Sequence, residues 1–197
     1  MPTAILSVYD KTGLIDFAKG LIDLGWSLLG SGGTSRLLRE NGFSVTDVAD
    51  YTNSPEILGG RVKTLHPAIH GGLLARSTDA DHHQLLELGW DYIDLVAVNL
   101  YPFEETIAKP DMTYADAIEN IDIGGVTLIR AAAKNHERVT LLCDPVDYPS
   151  ILEKLRSGGI SSETRKELSV KGFASTMRYD TAIYNYLSSS GNHPRRP

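Results

Sequence analysis

Apolar residues in this chain fall into two alternating patterns. Short, nearly unbroken apolar runs occur at Ala4-Ile5-Leu6-Ser7-Val8, Trp26-Ser27-Leu28-Leu29, 44–48, 93–100 and 138–143. Each has the length and continuity of a buried strand. Between them, apolar residues recur every three or four positions, which predicts helices. The first covers 14–24, where Leu14, Ile15, Phe17, Ala18, Leu21 and Ile22 make one face and Gly25 stops it. Others are predicted at 35–41 (ended by Gly42), 81–88, 114–120, 126–134, 149–156 and 162–187, with Gly124-Gly125 splitting the fourth from the fifth. Five strands separated by helices predict an α/β domain with a mostly parallel sheet covered on both faces. Ligands of such sheets bind outside the carboxyl ends of the strands.

The 197 residues, 42% of them hydrophobic, are enough for one substantial domain. The last stretch, 188–197, is polar with one Gly and two Pro and reads as a linker or tail, so the domain is expected to end near 187. A net charge of −6 argues against a broad nucleic-acid-binding face. The lone cysteine, Cys143, excludes an internal disulfide framework and fits a reducing compartment. It closes an apolar run, so a buried, unreactive thiol is expected. The N-terminus lacks a charged region followed by an apolar core, and no apolar run reaches membrane-spanning length. A cytoplasmic protein with no membrane partner is the expectation.

Local chemistry runs against the acidic average. Gly59-Gly60-Arg61-Val62-Lys63-Thr64-Leu65-His66-Pro67 gathers two cations, a hydroxyl and a histidine, and no acid falls between Glu56 and Asp79. It reads as an anion-binding loop. Gly30-Ser31-Gly32-Gly33-Thr34-Ser35 joins a strand to a helix, where converging N–H groups suit a phosphate; a plain turn with a Ser or Thr cap is the other reading. Asp50 lies at a suitable distance for a dinucleotide fingerprint, but Ser35 replaces the third glycine and the loop follows the second strand, so that reading is set aside. Ser7-Val8-Tyr9-Asp10-Lys11-Thr12 lacks the glycines of a P-loop. Lys11 could still reach a phosphate as a point charge, or the segment could be a capped surface turn.

His66 and His70 have i, i+4 spacing, but Pro67 and Gly71 argue against a helix through both, and no Cys or carboxylate joins them nearby, so no metal site is expected. His82 and His83 read as surface residues. Asp122 stands between Ile121 and Ile123 ahead of two glycines. It is either a proton-transfer carboxylate raised by apolar neighbours or a helix cap. Lys134 ends the following helix, where the dipole alone would favour a cation. Tyr101 follows a buried strand and is either a donor or core.

Taken together, Ser7-Val8-Tyr9-Asp10-Lys11-Thr12-Gly13, Ser31-Gly32-Gly33-Thr34, Gly60-Arg61-Val62-Lys63-Thr64-Leu65-His66-Pro67, Asn99-Leu100-Tyr101-Pro102-Phe103, Ile121-Asp122-Ile123-Gly124-Gly125 and Arg130-Ala131-Ala132-Ala133-Lys134-Asn135 closely resemble the IMP cyclohydrolase domain of the bifunctional AICAR transformylase/IMP cyclohydrolase family. The resemblance runs from about residue 4 to 187 and includes Tyr179-Asp180-Thr181-Ala182-Ile183. It implies a methylglyoxal-synthase-like three-layer sandwich, closure of FAICAR to IMP with loss of water, and no metal or organic cofactor. It implies that Ser7, Lys11, Ser31, Gly33, Thr34, Arg61 and Thr64 bind the ribose phosphate, with Asn99, Ile123 and Gly124 completing the substrate site. Lys63, Tyr101, Asp122 and Lys134 are implied to surround the reacting groups. A homodimer is implied, with a formyltransferase domain on the same chain or on a separate protein as a further partner. Methylglyoxal synthase is a rival of the same fold, but its Gly-Asp-Pro type stretch is absent. A non-catalytic nucleotide sensor would need only the phosphate loops, and the four reacting-group residues together favour an enzyme.

Overall fold

The computed structural model describes residues 1–55 and 57–189. Its centre is a five-stranded sheet, all parallel, in the order β3-β2-β1-β4-β5. The strands are β1 (Thr3–Val8), β2 (Ser27–Gly30), β3 (Thr46–Asp47), β4 (Leu95–Asn99) and β5 (Thr140–Leu142). From β1 the chain winds outward to β2 and β3 on one side, then returns to place β4 and β5 on the other. The reversal lies between β1 and β4, whose carboxyl ends are in register with Ser7 opposite Val98 and Val8 opposite Asn99. A crevice opens there because successive connections leave in opposite directions.

Alternate strand residues face opposite layers. Ala4, Leu6 and Val8 pack on α1 (Leu14–Asp23) and α9 (Tyr148–Arg156), through Phe17, Leu21, Ile151 and Leu152. Ile5, Val96, Val98 and Leu141 face α4 (Pro67–Leu74) and α8 (Gly124–Lys134), through Ile69, Leu73, Leu128 and Ile129. The long α10 (Ser162–Ser189) lies across α8 and β5. It comes so close at Gly172 that a Cβ there would clash with Leu141. The fold is therefore the three-layer sandwich that the alternation of strands and helices predicts.

The remaining helices are α2 (Gly32–Glu40), α3 (Val48–Thr52), α5 (Asp79–Glu87), α6 (Phe103–Ile107) and α7 (Tyr114–Glu119). Two expectations need correction. The third strand shrinks to two residues because Asp47 turns to capping: its carboxylate accepts from the Ala49 N–H and starts α3. A helix also does run through His70. Pro67 occupies its first position, where a missing N–H is harmless and the fixed φ helps. His66 caps it, with Nδ1 accepting from the Ala68 N–H at 3.1 Å. The glycines allow close packing, since a Cβ on Gly72 would sit 2.5 Å from the Asp91 carbonyl. At the other end, Asn135 and Arg138 donate to the carbonyls of Gly72, Leu73 and Ala75, which α4 leaves unpaired. α10 continues two residues beyond 187, and the tail expected over 188–197 lies outside the described residues from 190 onward.

Candidate active site

One wall of the crevice is the start of α2. Ser31 is its N-cap, in extended conformation, but its hydroxyl makes no cap bond. It pairs instead with Ser7 Oγ at 2.8 Å. Gly32 follows at φ +51, a conformation open to glycine. The first N–H groups of α2 thus lie at the crevice with no side chain closing them, which leaves positive potential for an anion. Lys11 adds a full charge: its Nζ donates to the Val8 and Tyr9 carbonyls at 3.3 and 3.2 Å and lies 4.0 Å from where a Cβ of Gly33 would be. Two expected site residues support this wall from behind. The buried Thr34 hydroxyl exchanges hydrogen bonds with the Val8 backbone, both at 3.1 Å. Asn99 accepts from the N–H groups of Tyr9 and Asp10 at 2.7 and 2.8 Å and donates to the Asp10 carbonyl, which fixes the turn carrying Lys11.

The facing wall is the start of α8, and it is closed. Asp122 stands one position before the formal N-cap, Ile123, which makes no side-chain bond. One Asp122 carboxylate oxygen accepts from the Gly125 N–H at 2.7 Å. The other lies so near Gly125 that a Cβ there would be 2.5 Å from it and 2.8 Å from Leu100. Burial raises the Asp122 pKa above the ordinary carboxylate value, while N–H donation from Gly125 and Tyr101 pulls the other way. Tyr101 stands beside this carboxylate on the crevice rim, half-exposed, with its ring 4.8 Å from that of Tyr9.

The basic loop ties the two walls. Consecutive residues reach opposite sides: Lys63 Nζ lies 3.1 Å from the Cβ position of Gly32, and Thr64 Oγ1 lies 3.0 Å from that of Gly124. The loop enters through three successive left-handed residues, Leu58, Gly59 and Gly60. Leu58, the one with a side chain, carries strain of the kind found at functional loops. Arg61 makes a forked ion pair with Glu119 at the end of α7. His70 holds the loop from below: its ring donates to the Thr64 carbonyl, burial lowers its pKa, and its Nε2 is buried without a hydrogen-bond partner. With His66 spent as a cap, this pair is not arranged as a chelate. Among the described residues no group of three or more His, Cys, Asp or Glu could hold a metal ion.

The crevice encloses about 590 Å³, within the range of small-molecule sites. Ser7, Lys11, Ser31, Gly33, Thr34, Arg61, Lys63, Thr64, Asn99, Tyr101, Asp122, Ile123 and Gly124 all line it. Lys134 does not. It is exposed at the far end of α8, about 15 Å of helix from Gly124, where it complements the helix dipole. Tyr9, Gly32 and Glu119 line the crevice without having been singled out from the sequence. Gly32 lies in the glycine loop and Tyr9 in the Ser7–Thr12 string, so both fall within candidate motifs, whereas Glu119 has no local signal. Elsewhere, Cys143 is half-buried and burial raises its thiol pKa, which keeps it protonated and unreactive. His82 and His83 are exposed on α5. No helix among the described residues is long and apolar enough to cross a membrane.

A family model described as an MGS-like domain matches residues 13–127, and one described as the AICARFT/IMPCHase bienzyme matches residues 132–196. The chain is 54% identical over 187 residues to the bifunctional purine biosynthesis protein PurH of Bacillus cereus (strain AH820), and equally to that of Bacillus anthracis (strain A0248). Those matches cover 94% of this chain and 37% of each relative, so the chain spans little more than a third of their length. The crystal structure of ForH superposes with a TM-score of 0.82 at 39% identity, covering 93% of this chain and 97% of that one. The chain belongs to the MGS-like domain family.

Proposed function

We propose that this chain is an IMP cyclohydrolase, closing the purine ring of FAICAR to give IMP and water. One observation carries the reading. A single crevice sets an uncapped, cation-flanked helix start opposite a desolvated carboxylate, and consecutive loop residues touch both walls. The first wall suits the ribose phosphate, held by the N–H groups of Gly32 and Gly33, the Ser7–Ser31 hydroxyl pair and Lys11. The second suits ring closure. The carboxamide nitrogen attacks the formyl carbon, forming the C–N bond; that nitrogen loses one proton and the formyl oxygen gains one, giving a hydroxyl. The hydroxyl then takes a second proton and leaves as water, breaking the C–O bond, while the former formamide nitrogen loses its proton and forms the C=N bond. Asp122 takes the carboxamide nitrogen's proton as its pKa is raised toward the working range. Tyr101 and Lys63 stabilise and protonate the oxygen. Both reacting groups belong to one molecule, so fixing the phosphate contributes by orientation. In this scheme Thr34 and Asn99 act by shaping the loops, and the Lys134 of the same chain takes no part.

The exposed Val170, Phe173, Met177 and Tyr184 form a stripe along α10, beside Arg130, whose guanidinium lies 5.7 Å over Phe173. These apolar side chains, interrupted by Asp180 and Thr181 before Tyr184, support a homodimer in which a second copy covers them. The relatives' greater length supports a formyltransferase as the further partner, and purine synthesis supports a cytoplasmic setting.

The test is to mix the purified chain with FAICAR in chelator-treated buffer and follow absorbance as the purine forms. Conversion to IMP that is lost in Lys63→Ala supports the proposal. IMP binding without conversion would replace it with a nucleotide sensor.

A further inference from the structure

We infer that Tyr179, a residue of α10 outside the crevice lining, is a positioning residue for the reaction. It acts by accepting a hydrogen bond from the backbone of Asp122. The inference rests on the reading of Asp122 as the proton-transfer carboxylate.

Segment 121–123, between α7 and α8, belongs to no strand or helix. Its N–H groups therefore need partners from elsewhere. The Asp122 N–H donates to Tyr179 Oη at 2.7 Å, across 57 residues of sequence. The same residue's carboxylate accepts from Gly125 N–H. Asp122 is thus held by its backbone from α10 and by its side chain from the N–H groups of Gly125 and Tyr101. With both in place the carboxylate has one orientation, against Gly125 and Leu100. Losing the backbone anchor releases segment 121–123, and the carboxylate it carries shifts toward water.

The phenol is itself held firmly. Tyr179 is 8% exposed, and burial raises its pKa, which keeps the oxygen in its neutral, hydrogen-bonding form. Its ring meets Phe103 edge to face at 6.2 Å, and Phe103 meets Tyr186 at 5.7 Å. Phe103 opens α6, two residues after Tyr101. The aromatic cluster therefore fixes the phenol relative to the segment that carries the crevice tyrosine. Edge-to-face pairs have a preferred geometry, so the hydroxyl is set with angular precision that an aliphatic contact would lack.

Tyr179→Phe keeps the ring and removes only the acceptor. We expect kcat to fall about tenfold while KM stays within about twofold, since sub-ångström misplacement of a reacting group acts on the chemical step. The Asp122 carboxyl, followed by carbon-13 NMR in the free protein, should titrate at lower pH than in the unaltered chain, because the released side chain regains water. Leu168→Ala, which loosens α10 at its other end, should lower Tm without moving that titration. In the unaltered chain the Asp122 amide should exchange slowly with deuterium, a readout that needs no variant. An unmoved titration and kcat in Tyr179→Phe, or a rapidly exchanging Asp122 amide, would overturn the inference. Absence of FAICAR turnover in the unaltered chain would instead remove the cyclohydrolase reading, and the NMR and exchange results would still judge Tyr179.

Discussion

Two helices begin at this crevice, and they use the same backbone feature in opposite ways. α2 leaves its first N–H groups without a side-chain cap, because the Ser31 hydroxyl is drawn off to Ser7. α8 closes its start with the Asp122 carboxylate. Every helix start carries orphan donors and partial positive charge. What differs is who supplies the anion. At α2 it must come from outside, so the site favours a ligand phosphate. At α8 the chain supplies its own, and burial then lifts that carboxylate toward a pKa at which it can exchange protons. In the proposed function, a binding wall and a reacting wall would thus be made from one element type by the placement of a single acid.

The largest effect should come from taking the anion out of α8. Asp122→Asn keeps the shape and an acceptor for the Gly125 N–H but cannot take a proton, and turnover should fall by about 10²–10⁴-fold. Stability should move the other way. The folded pKa of Asp122 is raised, so between its ordinary value and the raised one the native state holds a proton that the unfolded chain has released. Stability therefore falls as pH rises through that window, and above it the desolvated charge is a standing penalty. Asp122→Asn should raise Tm at neutral pH while lowering turnover by that factor. In the unaltered enzyme kcat should drop as pH falls through a midpoint above the usual carboxylate range. A variant with near-normal turnover would remove Asp122 from the mechanism.

Next in size is Gly125→Ala, which tests whether the carboxylate's place matters as well as its presence. The added methyl would meet both the Asp122 carboxylate and Leu100. Overpacking of this kind costs about 1–3 kcal/mol, and displacement of the carboxylate should lower kcat by about 10²-fold. Denaturant unfolding and steady-state kinetics on one sample would separate the two losses. The matching change on the other wall is Lys11→Ala. A charge-assisted contact contributes about 1.5–3 kcal/mol, so KM should rise at least tenfold with kcat little changed. A kcat loss without a KM change would mean that the α2 wall does more than bind.

The two walls were not equally legible in the sequence. The α2 side rests on glycines, cations and small hydroxyls within a few residues of one another, and such strings announce an anion site locally. The buried strands were equally plain, because β1 and β4 are nearly unbroken apolar runs. The α8 side depends on distant partners. Asp122 was visible, but the burial that raises it comes partly from Leu100 and the tyrosine beneath it from α10, and no local pattern encodes either. α4 was hidden because Pro67 and Gly71-Gly72 look like breakers. Their effect is reversed by position: the proline sits at the helix start, and the glycines let Trp90 and Asp91 approach. Asn99 is expected to bind substrate, yet in this structure it lines the crevice with its side chain holding a loop. Residue type marks a place as important more readily than it assigns the role.

The smallest predicted effect concerns the bridge between the walls. Arg61 is expected to bind phosphate, yet in this structure it is forked onto Glu119, with both side chains more than half exposed. An exposed ion pair contributes about 1 kcal/mol or less. A phosphate carrying more charge than a carboxylate should therefore displace Glu119 without difficulty. Glu119→Gln removes the competitor and should lower KM for FAICAR by up to about fivefold, most clearly at low ionic strength, with kcat unchanged. Arg61→Gln should raise KM and make the Glu119 substitution silent. If Glu119→Gln leaves KM unaltered at low salt while Arg61→Gln does not, the phosphate takes Arg61 with Glu119 still attached. If neither changes KM, the loop's contribution to binding comes from Lys63 and Thr64 alone, and the α2 wall is sufficient for the phosphate.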